Sequence, residues 1–213
     1  QKTIASSVTI SGTGLHTGEF VTLTLKPAPI NYGYKFVRSD IEGYPQIEAL
    51  VDYVNNTDRS TNLQKDNIHI STVEHLLAAI YGSGIDNILI EMDGNEVPIL
   101  DGSSAPWVDL IHKARLINQK AERVYFELKH NIIHTQSDRK SEIIAIPSDI
   151  QRFSAMIQFN SKVLDTQFAT LDRIDDFAKE IAPCRTFVFL HELEQLIQHN
   201  LIKGGDINNA IVL

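Results

Sequence analysis

Cysteine is nearly missing: Cys184 is the single one in 213 residues. No disulfide can form within the chain, so its stability rests on packing, and we expect a reducing, cytoplasmic setting. Basic charge is short as well. Nineteen Lys and Arg face 27 Asp and Glu, a net charge of -8. That balance argues against non-specific nucleic-acid binding, which needs a basic face, although a local cluster of cations can still hold one phosphate. No apolar run in these residues is long enough to span a bilayer, and no signal-peptide pattern stands out. What is present is ordinary: 43% hydrophobic and 22% charged residues, as in one large globular domain or two small ones.

Residues 19–26 alternate Phe20, Thr22 and Thr24 against Val21, Leu23 and Leu25, which predicts a half-buried strand. Shorter strands are expected at 8–10, 34–37, 47–51, 67–70 and 86–92. Further on they are expected at 124–128, 132–135, 142–146, 153–159 and 210–213. Helices are expected after Ser71, after Ser103 or Ser104 with Pro106 in the first turn, over 174–181, and over 191–199. The polar stretch 114–122 places a domain boundary near Asn118 to Lys120, hence domains 1–118 and 119–213. Both read as strands with helices packed on one side, an α+β pattern without an internal repeat.

Ser71-Thr72-Val73-Glu74-His75-Leu76-Leu77 sets a carboxylate beside an imidazole at the start of an amphipathic helix. Two readings stay open. Glu74 can reach back to the Ser71 amide as a capping box, or act as a general base beside a metal centre with His75 as one ligand. The glycine-rich Gly12-Thr13-Gly14-Leu15-His16-Thr17-Gly18 marks a loop whose histidine sits on the surface or points into a site. Glu96 and Asp101 suggest a carboxylate pair, while turn and cap duties explain them equally. His112 reads as a boundary histidine on the edge of an apolar helix face made by Trp107, Leu110 and Ile111.

Taken together and in order, Gly14-Leu15-His16-Thr17-Gly18, the Ser71–Leu76 stretch and Pro98-Ile99-Leu100-Asp101-Gly102-Ser103, with Arg185-Thr186-Phe187 and Gly204-Gly205, resemble the UDP-3-O-acyl-N-acetylglucosamine deacetylase family of lipid A synthesis. The resemblance covers essentially the whole chain. It implies a two-domain α+β fold with the site between the domains, and a Zn²⁺-dependent amidohydrolase that removes acetate from an acylated UDP-sugar. It gives Glu74 the general-base role, His75 a zinc-ligand role and Thr186 the stabilisation of the oxyanion. Phe187 would pack on the sugar. Residues 188–213 match a β-α-β insert, whose Phe189, Leu193, Leu196, Leu201, Ile202, Ala210 and Val212 would line an acyl groove; plain core packing explains each of them singly as well. His16 matches a histidine near the site mouth, without a firm role.

The resemblance also marks a departure. The family's H-x-x-x-D helix, which carries the other two zinc ligands and a lysine, and its later general-acid histidine are not found in these residues. A catalytic zinc needs three protein ligands, so the polypeptide taken literally is expected to be inactive and to belong to a longer parent. Some relatives carry a fused 3-hydroxyacyl-carrier-protein dehydratase, a possible partner domain. Two other functions compete: a non-catalytic module that holds an acylated nucleotide-sugar, and a zinc hydrolase acting on a different acylated amide.

Overall fold

Gln1–Ala121 and Phe177–Leu213 pack as one compact unit of the computed structural model, and Glu122–Asp176 as another. The structure describes residues 1–159, 161, 164–199 and 201–213; Asn200, inside the expected insert, lies outside them. The cut after Ala121 lies beside the Asn118–Lys120 stretch, and residues 177–213 pack with the first unit.

The first unit begins with β1 (Lys2–Ile4), β2 (Val8–Thr13), β3 (Phe20–Pro27), β4 (Tyr34–Arg38) and β5 (Gln46–Glu48). After a 3-10 turn at Val51–Tyr53 come β6 (Val54–Asn56), β7 (Asn62–Lys65) and β8 (Ile68–Ile70). Then follow α1 (Glu74–Gly82), β9 (Ile88–Met92), α2 (Ala105–Ala114) and β10 (Leu116–Asn118). The alternation in β3 does what its period demands: Val21, Leu23 and Leu25 are buried while Thr22 and Thr24 are not. β3 is the second strand of a five-stranded sheet of order β2-β3-β9-β4-β5, in which β4 and β9 run parallel and the other neighbours antiparallel. α1 buries Leu76, Ala79 and Ile80, and α2 buries Trp107, Leu110 and Ile111. The two helices pack together, with α2 also against β2, to form the α layer of an α+β fold. A three-stranded sheet β6-β7-β8 leads directly into α1.

The second unit is built of two antiparallel hairpins: β11 (Ile132–Gln136) with β12 (Ser141–Ala145), and β13 (Phe153–Gln158) with β14 (Thr166–Leu171). Back in the first unit, α3 (Phe177–Glu180), β15 (Phe187–Val188), α4 (Leu190–Gln198) and β16 (Ile211–Val212) follow. β15 and β16 pair in parallel across α4, so the expected strand-helix-strand arrangement forms. Gly82 allows α3 its seat on α1: a Cβ there would lie 2.1 Å from the Phe177 ring.

Several local expectations change. No strand forms at 124–128, where Val124 is 94% exposed, because no ladder partner meets it among the described residues. The strand expected over 47–51 is confined to Gln46–Glu48 and gives way to the 3-10 turn at Val51–Tyr53. The helix expected over 174–181 is split into a 3-10 turn at Ile174–Asp176 and the single turn of α3. Ser71 does not cap α1. The helix begins at Glu74 with Val73 at the N-cap, because Thr72 takes φ +58° and turns the chain out of β8 just before it.

Candidate active site

The α1 entry is made by backbone rather than by a side-chain cap. Ser71 bridges Glu96 in parallel: its N–H donates to the Asn95 carbonyl at 2.8 Å, and its own carbonyl accepts the Val97 N–H at 3.1 Å. With Ser71 committed there, the Glu74 carboxylate turns elsewhere and accepts the Thr61 N–H at 3.0 Å on Oε2. The capping-box reading is therefore replaced: Glu74 is held by the β6–β7 loop at the mouth of the helix.

His75 follows on the next residue, about 100° further round the helix. Its imidazole is largely withdrawn from water, and burial pushes its pKa below the usual histidine value against the opposing pull of Glu74 and Asp101. The ring is thus biased to the neutral form, in which a nitrogen lone pair is available to a metal ion or a proton.

Asp101 belongs to a turn that the sequence marks by Asp101-Gly102. Leu100 and Gly102 both have positive φ, +54° and +82°, and Asp101 Oδ1 accepts the Ser103 N–H at 3.0 Å and the Ser103 hydroxyl at 2.8 Å. A Cβ on Gly102 would lie 2.0 Å from the Asn209 carbonyl oxygen, so only glycine fits there. This close approach admits Thr186, whose N–H donates to the Gly102 carbonyl at 2.8 Å. Arg185 fastens the same turn from outside, donating from Nε to the Asp101 carbonyl at 2.7 Å and from Nη2 to the Ile207 carbonyl at 3.2 Å. The Asp101-Gly102 turn is thereby bonded to Thr186 through the Gly102 carbonyl, and its Asp101 charge acts on His75, the residue that follows Glu74.

Phe187 leaves this point on β15, edge-on to Phe189 with ring centroids 5.7 Å apart, and Phe189 stacks on His191 at 5.4 Å. Of the apolar residues expected here, Leu196 is buried as core. Phe189, Leu193, Leu201, Ile202 and Ala210 are half-buried, and Phe187 and Val212 are exposed. Most of the set is therefore available to a ligand rather than used up in packing. Arg59, in the loop before Thr61, reaches α4 through a two-pronged pair with Glu192, at 2.7 Å and 3.3 Å.

His16 lies in the glycine-rich loop. Both its ring nitrogens are buried without a hydrogen-bond partner among the described residues, which marks an imidazole whose partner is not supplied by the fold around it. The loop rests on the Lys203-Gly204 turn, where the Gly204 N–H donates to the Leu15 carbonyl at 3.0 Å. Its carboxylate anchor is Glu96, for which the sequence leaves open a carboxylate pair with Asp101 or a turn and cap duty; the supporting parts of Thr61, Thr72 and Asn209 have no sequence signal. The one sequence signal for such a buried anchor was the density of glycines opposite it.

The fit to a zinc ion is partial. His75 offers a neutral imidazole, yet among the described residues no group of three His, Cys, Asp or Glu side chains is placed to hold a metal ion. His75 is thus one candidate donor, and the described residues alone bring no complete set around it.

The family model described as UDP-3-O-acyl N-acetylglycosamine deacetylase matches residues 1–213. The bifunctional enzyme LpxC/FabZ of Porphyromonas gingivalis is 44% identical over 213 residues, all of this chain and 46% of that protein. The UDP-3-O-acyl-N-acetylglucosamine deacetylase of Myxococcus xanthus is 42% identical, again over the whole chain and over 68% of its own length. That of Chromohalobacter salexigens is 38% identical over 71% of its length. The chain thus spans about half the length of the bifunctional relatives it matches. It belongs to the UDP-3-O-acyl-N-acetylglucosamine deacetylase family.

Proposed function

We propose that the full chain hydrolyses the N-acetyl group of a UDP-3-O-(3-hydroxyacyl)-N-acetylglucosamine, the committed step of lipid A synthesis, in the cytoplasm. The observation that carries this reading is that one turn, Asp101-Gly102, meets both Thr186, through its N–H, and His75, through the Asp101 charge, with Glu74 the residue next to His75. Family membership and the printed names of the relatives support it. No helix of the described residues is long and apolar enough to cross a membrane.

In this reading Glu74 takes a proton from the attacking water at the carboxylate oxygen not engaged by Thr61, the general-base role. The Thr186 hydroxyl donates to the oxygen that becomes negative at the tetrahedral stage, where a fixed donor acts most strongly. Phe187 offers its exposed face to the sugar. Phe189, Leu193, Ile202, Ala210 and Val212 shield the acyl chain from water. Zinc, proposed as the cofactor, supplies Lewis-acid activation when bound, with His75 as one ligand and the others outside the described residues. With one ligand of three, residues 1–213 alone are proposed to be inactive. Residues 119–213 are proposed as the opening of a second domain in the longer protein, and a fused dehydratase as a partner, as the bifunctional relatives' name suggests.

The incomplete ligand set favours one second reading, a module that binds the acylated nucleotide-sugar without chemistry. The test is acetate release by the full chain from UDP-linked and from free acylated N-acetylglucosamine. Release from the UDP-linked sugar alone supports the proposal. Equal release from both moves the substrate to another acylated amide, and binding without release supports the module.

A further inference from the structure

Glu96 is fully buried, 0% exposed, and among the described residues no cation pairs with it. Burying a carboxylate is costly unless hydrogen bonds replace its water. Here donors converge on it from two sides. From the glycine-rich loop, the His16 N–H donates to Oε1 at 2.9 Å, and the Thr17 N–H and hydroxyl donate to Oε2, each at 2.7 Å. From the α1 entry, the Thr72 hydroxyl donates to Oε1 at 2.9 Å. Gly14 makes room for this: a Cβ there would lie 2.5 Å from Glu96 Oε2. Every partner is a donor, so an acceptor-only carboxylate fits where an amide would turn an NH₂ against N–H groups.

The Thr72 bond matters most. Thr72 is β-branched and holds φ +58°, a conformation that costs on the order of 1–3 kcal/mol and persists only where its surroundings enforce it. That turn aims the two residues that follow Val73, namely Glu74 and His75. Glu96 is therefore the shared anchor of the strained α1 entry and of the His16 loop.

We propose that Glu96 is a positioning residue whose carboxylate ties the His16 loop to Thr72, so that the Glu74–His75 pair and His16 are set as one unit. The catalytic consequence rests on the deacetylase reading; the coupling itself does not. The test compares Glu96→Gln and Thr72→Val with wild type in the natural full chain, by amide chemical shifts, zinc affinity and steady-state kinetics. Thr72→Val keeps the β-branch and replaces the hydroxyl with a methyl group, so the donor to Glu96 Oε1 is lost. It shifts the His16 and Thr17 amide resonances, which reach Thr72 through the Glu96 carboxylate. Glu96→Gln lowers kcat by about a hundredfold with KM little changed, the cost of misplaced groups, and weakens zinc binding. The double variant is no worse than Glu96→Gln, because the two act in one network.

Unchanged His16 and Thr17 resonances in Thr72→Val, or wild-type kcat and zinc affinity in a folded Glu96→Gln, would overturn the proposal. If Glu96→Gln fails to fold, Thr72→Val decides alone. If the wild type releases no acetate, the deacetylase reading fails while the amide shifts still judge the coupling.

Discussion

The Glu74 carboxylate accepts the Thr61 N–H at 3.0 Å and leaves its own helix uncapped. A carboxylate that merely capped α1 would lie back over Ser71; this one is held across the helix mouth, and its Oε1 accepts no hydrogen bond among the described residues. Glu74→Gln keeps the Thr61 bond through its amide oxygen and loses the proton acceptor. Turnover in the full chain is expected to fall by about 10²–10⁴-fold with the melting temperature little changed. Near-normal acetate release by this variant would remove Glu74 from the general-base role.

Thr186 is fastened to the site through its backbone, with its N–H on the Gly102 carbonyl and its carbonyl accepting the Ile211 N–H at 3.0 Å. Thr186→Val therefore preserves shape and backbone bonds while removing the hydroxyl. We expect kcat to drop by about 10²–10³-fold and KM to hold, as for loss of an oxyanion donor. A loss in KM alone would reassign Thr186 to ground-state binding.

How much of this was legible beforehand depended on where the information resides. The alternation of β3 and the buried Ile88 and Ile90 of β9 were readable, because side-chain period reports directly which face is wet. The strand at 124–128 was not decidable, since its residues suit a strand and only the lack of a ladder partner among the described residues denies them one. β14 and β7 escaped because their polar residues sit among turn signals. In the site, the motifs Glu74-His75, Asp101-Gly102 and Thr186 were visible as residues in order. Their supports were not: Thr61 acts through a backbone N–H and Thr72 through an unusual φ, neither of which its residue type announces.

Arg59 and Glu192 join the loop before Thr61 to α4, and the guanidinium holds the Glu192 carboxyl below the usual carboxylate range. A double-mutant cycle of Arg59→Met and Glu192→Gln, read by thermal unfolding, should give a coupling of about 0.2–1 kcal/mol, small because both groups are partly exposed. The sign follows from the lowered pKa. The unfolded chain binds the extra proton first, so the contribution is full above about pH 4.3 and fades as pH falls through the folded value. A coupling that persists unchanged at pH 3 would show that the contact is not ionic.

The most direct test of the site assignment is the zinc content of the purified full chain, measured for wild type, Glu74→Gln and His75→Ala. About one zinc per chain is predicted for wild type and for Glu74→Gln, with a clear loss in His75→Ala. Equal zinc in wild type and His75→Ala would contradict the ligand role of His75, and with it the division of labour between the two neighbouring residues.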